Sequence, residues 1–349
     1  MIHFDSDYMA GAHPRIMERL CGTNLDQTPG YGTDRYCISA RELVRDAVGN
    51  HFADVHFLLG GTQTNATVIN ALLRGAEAVI AADTGHISVH EAGAIEATGH
   101  KVLALPATDG KIEASAIEAY LKSFYDDDTW QHMALPAMVY ISQPTEFGTV
   151  YSLKEIRAIS DVCRRYSIRF YVDGARLGYA LASKACDFTI KDLYQLCDAF
   201  YIGGTKVGTL FGEALVLKNK DLAPHLVTDI KRGGAMLAKG RLLGLQFETL
   251  FADKFKLYLE CGCNGVERAM ELRAAFESKG WKPCIDSPTN QQFFVLPNAV
   301  IDKLSGSATF EYWGPRGNEQ STVRFVTSWA TTQEEILELA AAIPASPVK

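Results

Sequence analysis

The sequence predicts an α/β protein, with a large domain over residues 1–244 built on a doubly wound, mostly parallel sheet, and a smaller α+β domain over 245–349. Three observations carry this. Short, continuously apolar runs recur, such as 78–82 (AVIAA), 137–142 (AMVYIS) and 168–172 (IRFYV), and such runs mark strands covered on both faces. Amphipathic helical stretches separate them, as a parallel sheet requires. After Gly244 the alternation stops, and long helical periodicity with isolated strands replaces it.

Taken in order, residues 1–40 read as an irregular arm holding one short helix near 14–21, with Pro14 suited to its first turn. A strand at 55–59 runs into Gly60-Gly61, followed by a helix over 63–74. Strands at 78–82 and 101–105 flank a helix over 88–98. A helix over 113–124, a strand at 137–142, a helix over 153–166 and strands at 168–172 and 199–202 follow. The segment 213–217 is expected to turn back antiparallel. Beyond Gly244 the periodicity predicts helices over 245–260 and 264–279 and strands at 291–296 and 322–327. A last helix starts after Thr332, with Glu335 placed for a capping box.

Length and charge narrow the function. A chain of 349 residues suits roughly two domains. With 34 Lys+Arg against 41 Asp+Glu, the net charge of −7 argues against a nucleic-acid partner, which needs clustered cations. No apolar run approaches the ~18–20 residues that span a bilayer, so no membrane association is expected. Met1–Asp5 lacks the basic and apolar regions of a signal peptide. The eight cysteines are scattered and read as reduced thiols of a cytoplasmic protein. Cys261 and Cys263 have no partners at zinc spacing, so no metal site is expected.

Ligands of open α/β sheets bind beyond the carboxyl ends of strands, so the residues after each strand matter most. Gly60-Gly61-Thr62-Gln63-Thr64-Asn65 leads into a helix, where free N–H groups favour an anion. Asp83-Thr84-Gly85-His86 follows the next strand and offers an imidazole. Asp173-Gly174-Ala175-Arg176 places a carboxylate at a strand end; a helix N-cap explains that motif alone equally well. Gly203-Gly204-Thr205-Lys206 places an amine among apolar residues, where desolvation makes it a nucleophile. A phosphate cradle, a ring, a carboxylate and an amine together suit pyridoxal 5'-phosphate.

On these motifs the chain resembles the low-specificity L-threonine aldolases. These are β-eliminating lyases of the aspartate-aminotransferase-like, PLP-dependent transferase fold (fold type I). The resemblance runs from Asp5-Ser6-Asp7 to Arg324 and is most specific at Val172–Arg176 and Thr205-Lys206, with Gly61–Asn65, His86 and Glu91-Ala92-Gly93 adding to it. It implies that Lys206 bonds the cofactor covalently, Asp173 pairs with the pyridine nitrogen and His86 stacks on the ring. Gly61 and Thr62 would hold the phosphate, with Thr205 as a further donor. Ser6, Arg176 and Arg324 would hold the carboxylate of a small amino-acid substrate, and Tyr31 would reach the site. It further implies a homodimer or homotetramer.

The implied activity is cleavage of β-hydroxy-α-amino acids to glycine and an aldehyde, with His86 or Glu146 as base. Glu146 departs from the family, whose members usually carry a histidine there. β-Elimination or aminotransfer on another amino acid therefore stays open as an alternative, as does binding of a phosphate-bearing ligand without covalent chemistry.

Overall fold

The computed structural model describes residues 1–346. Its elements in chain order are β1 (Ile2–His3), α1 (Pro14–Gly22), α2 (Arg35–Val48), β2 (Asp54–Leu58), α3 (Gly61–Leu72), β3 (Glu77–Ala82), α4 (His86–Val89), β4 (Lys101–Leu105), α5 (Ala114–Tyr125), β5 (Leu135–Ser142), α6 (Leu153–Arg165) and β6 (Arg169–Asp173). These are followed by α7 (Leu177–Ala182), α8 (Ile190–Leu196), β7 (Ala199–Gly203), β8 (Glu213–Leu217), α9 (Leu226–Arg232), α10 (Arg241–Ser278), β9 (Gln291–Pro297), α11 (Asn298–Leu304), β10 (Ala308–Thr309), β11 (Glu311–Tyr312), β12 (Gln320–Val326) and α12 (Gln333–Ala342).

Seven strands form the main sheet in the order β2-β8-β7-β6-β5-β3-β4. β3 pairs in parallel with β4 and β5, β5 with β6, and β6 with β7. β8 is antiparallel to both β7 and β2, as expected for 213–217, and it alone runs against the others in this sheet. Because successive strand residues point to opposite faces, each strand feeds two cores. Val139, Ile141, Val172 and Phe200 pack on one face. Met138, Tyr140, Tyr171 and Tyr201 pack on the other.

A second sheet, β11-β12-β9, lies near the chain's end, with a core of Phe276, Phe294, Phe325 and Leu339. β1 pairs in parallel with β10, so the first residues of the chain join this region. The capping box is present: Thr332 accepts from the N–H of Glu335, and the Glu335 carboxylate accepts from the N–H of Thr332.

Four expectations need correction. Arg35–Val48 is a full helix, capped by Asp34 at its start and by Gly49 in the left-handed conformation (φ 71°) at its end. Its Cys37, Ala40, Val44 and Val48 are buried at helical spacing. The helix expected over 88–98 stops at Val89, because Ala92 (φ 52°) and Gly93 (φ 73°) turn left-handed. Only a 3₁₀ turn at Glu96–Thr98 follows. Three short helices (α7, α8 and α9) were not anticipated between residues 177 and 232. Finally, the break expected near 261–263 lies instead at Ala252–Phe255, inside α10. Gly262, within the span expected to break, serves packing: a Cβ on it would sit 2.3 Å from the Gly178 carbonyl oxygen, so α10 lies directly on α7.

Candidate active site

Parallel strands end on one edge of a sheet, and the residues that follow them converge there. A cleft of about 200 Å³ opens at this edge. Gly61, Thr62, His86, Glu146, Asp173, Arg176, Thr205 and Lys206 all line it.

Asp173 ends β6 on the tyrosine-rich face of the sheet. Oδ2 accepts from the Tyr140 hydroxyl at 2.6 Å and from Asn65 Nδ2 at 2.9 Å, and Oδ1 accepts from the Tyr201 hydroxyl at 2.6 Å. Burial pushes this carboxyl up, but the nearby His86 imidazole and these donors outweigh it and hold it below the usual carboxylate range. Asp173 is thus a buried anion held ready for a cation in the cleft. Its N-cap-like bond to the N–H of Ala175, at 2.9 Å, is also present.

Lys206 sits in the turn between β7 and β8. Its carbonyl accepts from the Tyr179 hydroxyl at 2.6 Å. Burial first, and the Arg176 charge second, lower its amine below the usual lysine range, against the pull of Asp7, Asp173 and Glu213. A neutral amine is the nucleophilic form. The Tyr8 ring lies 5.9 Å from Nζ.

His86 opens α4, and its Nδ1 lies 2.7 Å from Glu91 Oε1. Glu91 is buried and also accepts from Asn65 Nδ2 at 2.7 Å. A carboxylate partner assigns the proton to Nδ1 and leaves the Nε2 lone pair free. Glu146 Oε1 accepts from the Ser142 hydroxyl at 2.6 Å and from the His86 N–H at 2.8 Å. Burial, with the Asp173 charge adding to it, raises this carboxyl above its ordinary range.

At the start of α3, Gly60, Gly61 and Thr62 line the cleft, and no side chain caps the helix. Gly61 is required here, because a Cβ would lie 2.9 Å from the Tyr201 hydroxyl oxygen. The helix start is therefore an open set of N–H donors beside Asp173.

The expected carboxylate group is only partly gathered. Arg176 lines the cleft, but its fork already grips Asp7, Nε to Oδ2 at 2.6 Å and Nη2 to Oδ1 at 3.0 Å. Arg324 and Ser6 do not line the cleft. Arg324 is buried, donates from Nη1 to Gln291 Oε1 at 2.9 Å, and pairs through Nη2 with Glu311. Burial first, and the Arg176 charge second, lower its guanidinium, so the two arginines face one another electrostatically. Ser6 is buried next to Asp7 in the chain. Tyr31 is 53% exposed and stacks near Lys231 Nζ, 4.5 Å from its ring. It stands outside this chain's cleft.

Glu213 was not anticipated. It opens its strand instead of following one, and because β8 runs in reverse its first residue reaches the same edge. The expected antiparallel turn at 213–217 was the signal that points to it.

A family model described as beta-eliminating lyase matches residues 3–279. The chain belongs to the β-eliminating lyase family. Within that family it is similar to a low-specificity L-threonine aldolase of Pseudomonas aeruginosa, at 28% identity over 341 residues, which covers 97% of this chain and 95% of that protein. The structure of a threonine aldolase from Leishmania major matches this β-eliminating lyase with a TM-score of 0.94 and 41% identity, covering 98% of both chains. An aspartate aminotransferase from Thermus thermophilus, at a TM-score of 0.70 and 11% identity, shares the fold alone. The fold type I expectation is met.

Proposed function

We propose that this β-eliminating lyase is a pyridoxal-phosphate-dependent aldolase that cleaves β-hydroxy-α-amino acids of the L-threonine or L-allo-threonine type to glycine and an aldehyde. The observation that carries this reading is the placing of the Lys206 amine, the Asp173 carboxylate and the uncapped start of α3 around one cleft. The residues present fit the cofactor. The N–H groups of Gly61 and Thr62 suit a phosphate, Asp173 suits a protonated pyridine nitrogen, and Lys206 suits an aldehyde carbon. Pyridoxal phosphate, when bound, supplies an electron sink for the bond that breaks.

The protein supplies positioning and proton transfer. Lys206, its amine lowered by burial, acts as the nucleophile. Arg176, braced by Asp7, turns its remaining N–H groups to the substrate carboxylate, and the nearby Arg324 adds positive charge. The proton of the β-hydroxyl goes to His86 Nε2 or to the Glu146 carboxylate. Glu91 holds the imidazole in the accepting form. Ser6 and Tyr31 take no part in this proposal as far as a single chain is concerned.

We extend the reading to a homodimer or homotetramer, supported by the exposed apolar side chains Tyr8, Met9 and Leu210. A cytoplasmic location is supported by eight free cysteines. Among the described residues no helix is long and apolar enough to cross a membrane. The test is product analysis with L-threonine: glycine and acetaldehyde in equal amounts are expected. A keto acid with ammonia would overturn aldol cleavage in favour of elimination.

A further inference from the structure

The turn that carries Lys206 is held by a carboxyl group with no assigned role. Glu213 is 3% exposed and lines the cleft. Its Oε2 accepts from the N–H of Gly204 at 3.0 Å, and its Oε1 accepts from the Thr205 hydroxyl at 2.7 Å. Thr205 Oγ1 in turn accepts from the N–H of Gly212 at 3.0 Å.

The count of protons matters here. A hydroxyl has one proton and two lone pairs. While Glu213 is ionised, the single Thr205 proton is committed to it, and Thr205 offers the cleft no donor. A protonated Glu213 reverses the 2.7 Å contact: its O–H donates to Thr205 Oγ1, which accepts from Glu213 and Gly212 together. The Thr205 proton is then free to point at an anion beside Gly61 and Thr62.

We propose that Glu213 gates the anion site of the cleft, so that binding a phosphate group is coupled to uptake of one proton at Glu213. This rests on the cofactor reading above. Glu213 faces Lys206 in the turn, Asp173 and Tyr171 on β6, Tyr201 on β7 and Tyr258 on α10. It pairs with Leu58 on β2 and Gly203 on β7. Burial is the largest influence on its carboxyl, with the Asp173 charge adding to it. Against the Thr205 and Gly204 hydrogen bonds and the Lys206 charge, the group is pushed up to about 8. The gate therefore stands open below that pH and closes above it.

The test is calorimetric titration of the full-length protein, freed of cofactor, with pyridoxamine 5'-phosphate, which has no aldehyde to bond Lys206. Runs in buffers of different ionisation enthalpy count the protons taken up. Wild type near pH 8.5 is expected to take up about half a proton more per phosphate bound than Glu213→Gln, because a tenfold coupling moves the Glu213 titration by about one pH unit. The amide copies the protonated acid by donating to Thr205, so this variant should keep its neutral-pH affinity at pH 9.5. Thr205→Val should weaken binding about tenfold at pH 7, the effect of one hydrogen bond to a charged group, and little at pH 9.5. Equal proton uptake by wild type and Glu213→Gln overturns the gate. So does a Thr205→Val loss that is the same at both pH values, a comparison that stands even if the Gln variant fails to fold. Failure of the probe to bind at any pH overturns the cofactor reading along with it, whereas binding without proton uptake overturns the gate alone.

Discussion

Arg176 and Asp7 form a buried two-point ion pair, Nε to Oδ2 at 2.6 Å and Nη2 to Oδ1 at 3.0 Å, which ties the N-terminal arm to the edge of the main sheet. Asn290 Nδ2 adds a third bond to Asp7 Oδ2 at 2.9 Å. The guanidinium expected to bind substrate is thus oriented by the protein before substrate arrives, and the Arg176 charge holds the Asp7 carboxyl below its usual range despite burial.

Removing the Asp7 charge should have two effects. Asp7→Asn leaves a buried arginine without its anion, which costs about 3–5 kcal/mol and is read as a lower denaturation midpoint. It should also raise the KM for threonine about tenfold with less change in kcat, since carboxylate binding is common to ground and transition states. Unchanged stability and KM would show the pair to be incidental.

Glu91 and His86 make a second relationship of this kind. Glu91→Gln keeps the size of the side chain but removes the anion that assigns the His86 proton. If Nε2 accepts the substrate proton, kcat should fall about 10²-fold, with cofactor content unchanged. Steady-state kinetics beside absorbance of bound cofactor separates this from a folding defect.

Glu146 predicts a pH effect with a definite sign. Its carboxyl is raised by burial and by Asp173, so as the sample is acidified it takes up a proton at a higher pH than an ordinary carboxylate. If the ionised form is the base, kcat/KM should fall on the acid side earlier than a free glutamate would dictate. Glu146→Gln should remove that limb and lower the rate about 10²-fold. A Gln variant with the same acid limb would assign the proton to His86 alone.

How much of this was legible in the sequence follows from where each residue sits. Asp173 and Lys206 follow apolar strands, where a polar residue is conspicuous, and a search of strand ends finds them. Glu213 precedes its strand, and only the reversed direction of β8 brings it to the same edge. Asp7 acts through a partner 169 residues away, and no local pattern encodes such a pair, whereas Glu91 acts on His86 only five residues before it. The nine strands read from the sequence lie within two residues of their observed bounds because apolar runs are short and sharply bounded, whereas the two-residue strands β1, β10 and β11 carry no such run and were missed. The helix boundary at Val89 was not legible, because Ala92 adopts a left-handed conformation that alanine rarely takes.

Gly262 offers a test of the fold. A methyl group there would lie 2.3 Å from the Gly178 carbonyl oxygen, forcing α10 off α7. Gly262→Ala should therefore destabilise by at least about 1–3 kcal/mol, seen as a lower thermal midpoint. Gly75, where a Cβ meets nothing within 4 Å, is the control and should tolerate alanine.

The central claim is that Lys206 is the residue that bonds the cofactor. Protein loaded with pyridoxal phosphate, reduced with borohydride, digested and measured by mass spectrometry reads this directly. The account predicts the reduced cofactor on Lys206 and no such adduct in Lys206→Ala. A label on another lysine, or protein that stays unlabelled at saturating cofactor, would contradict it.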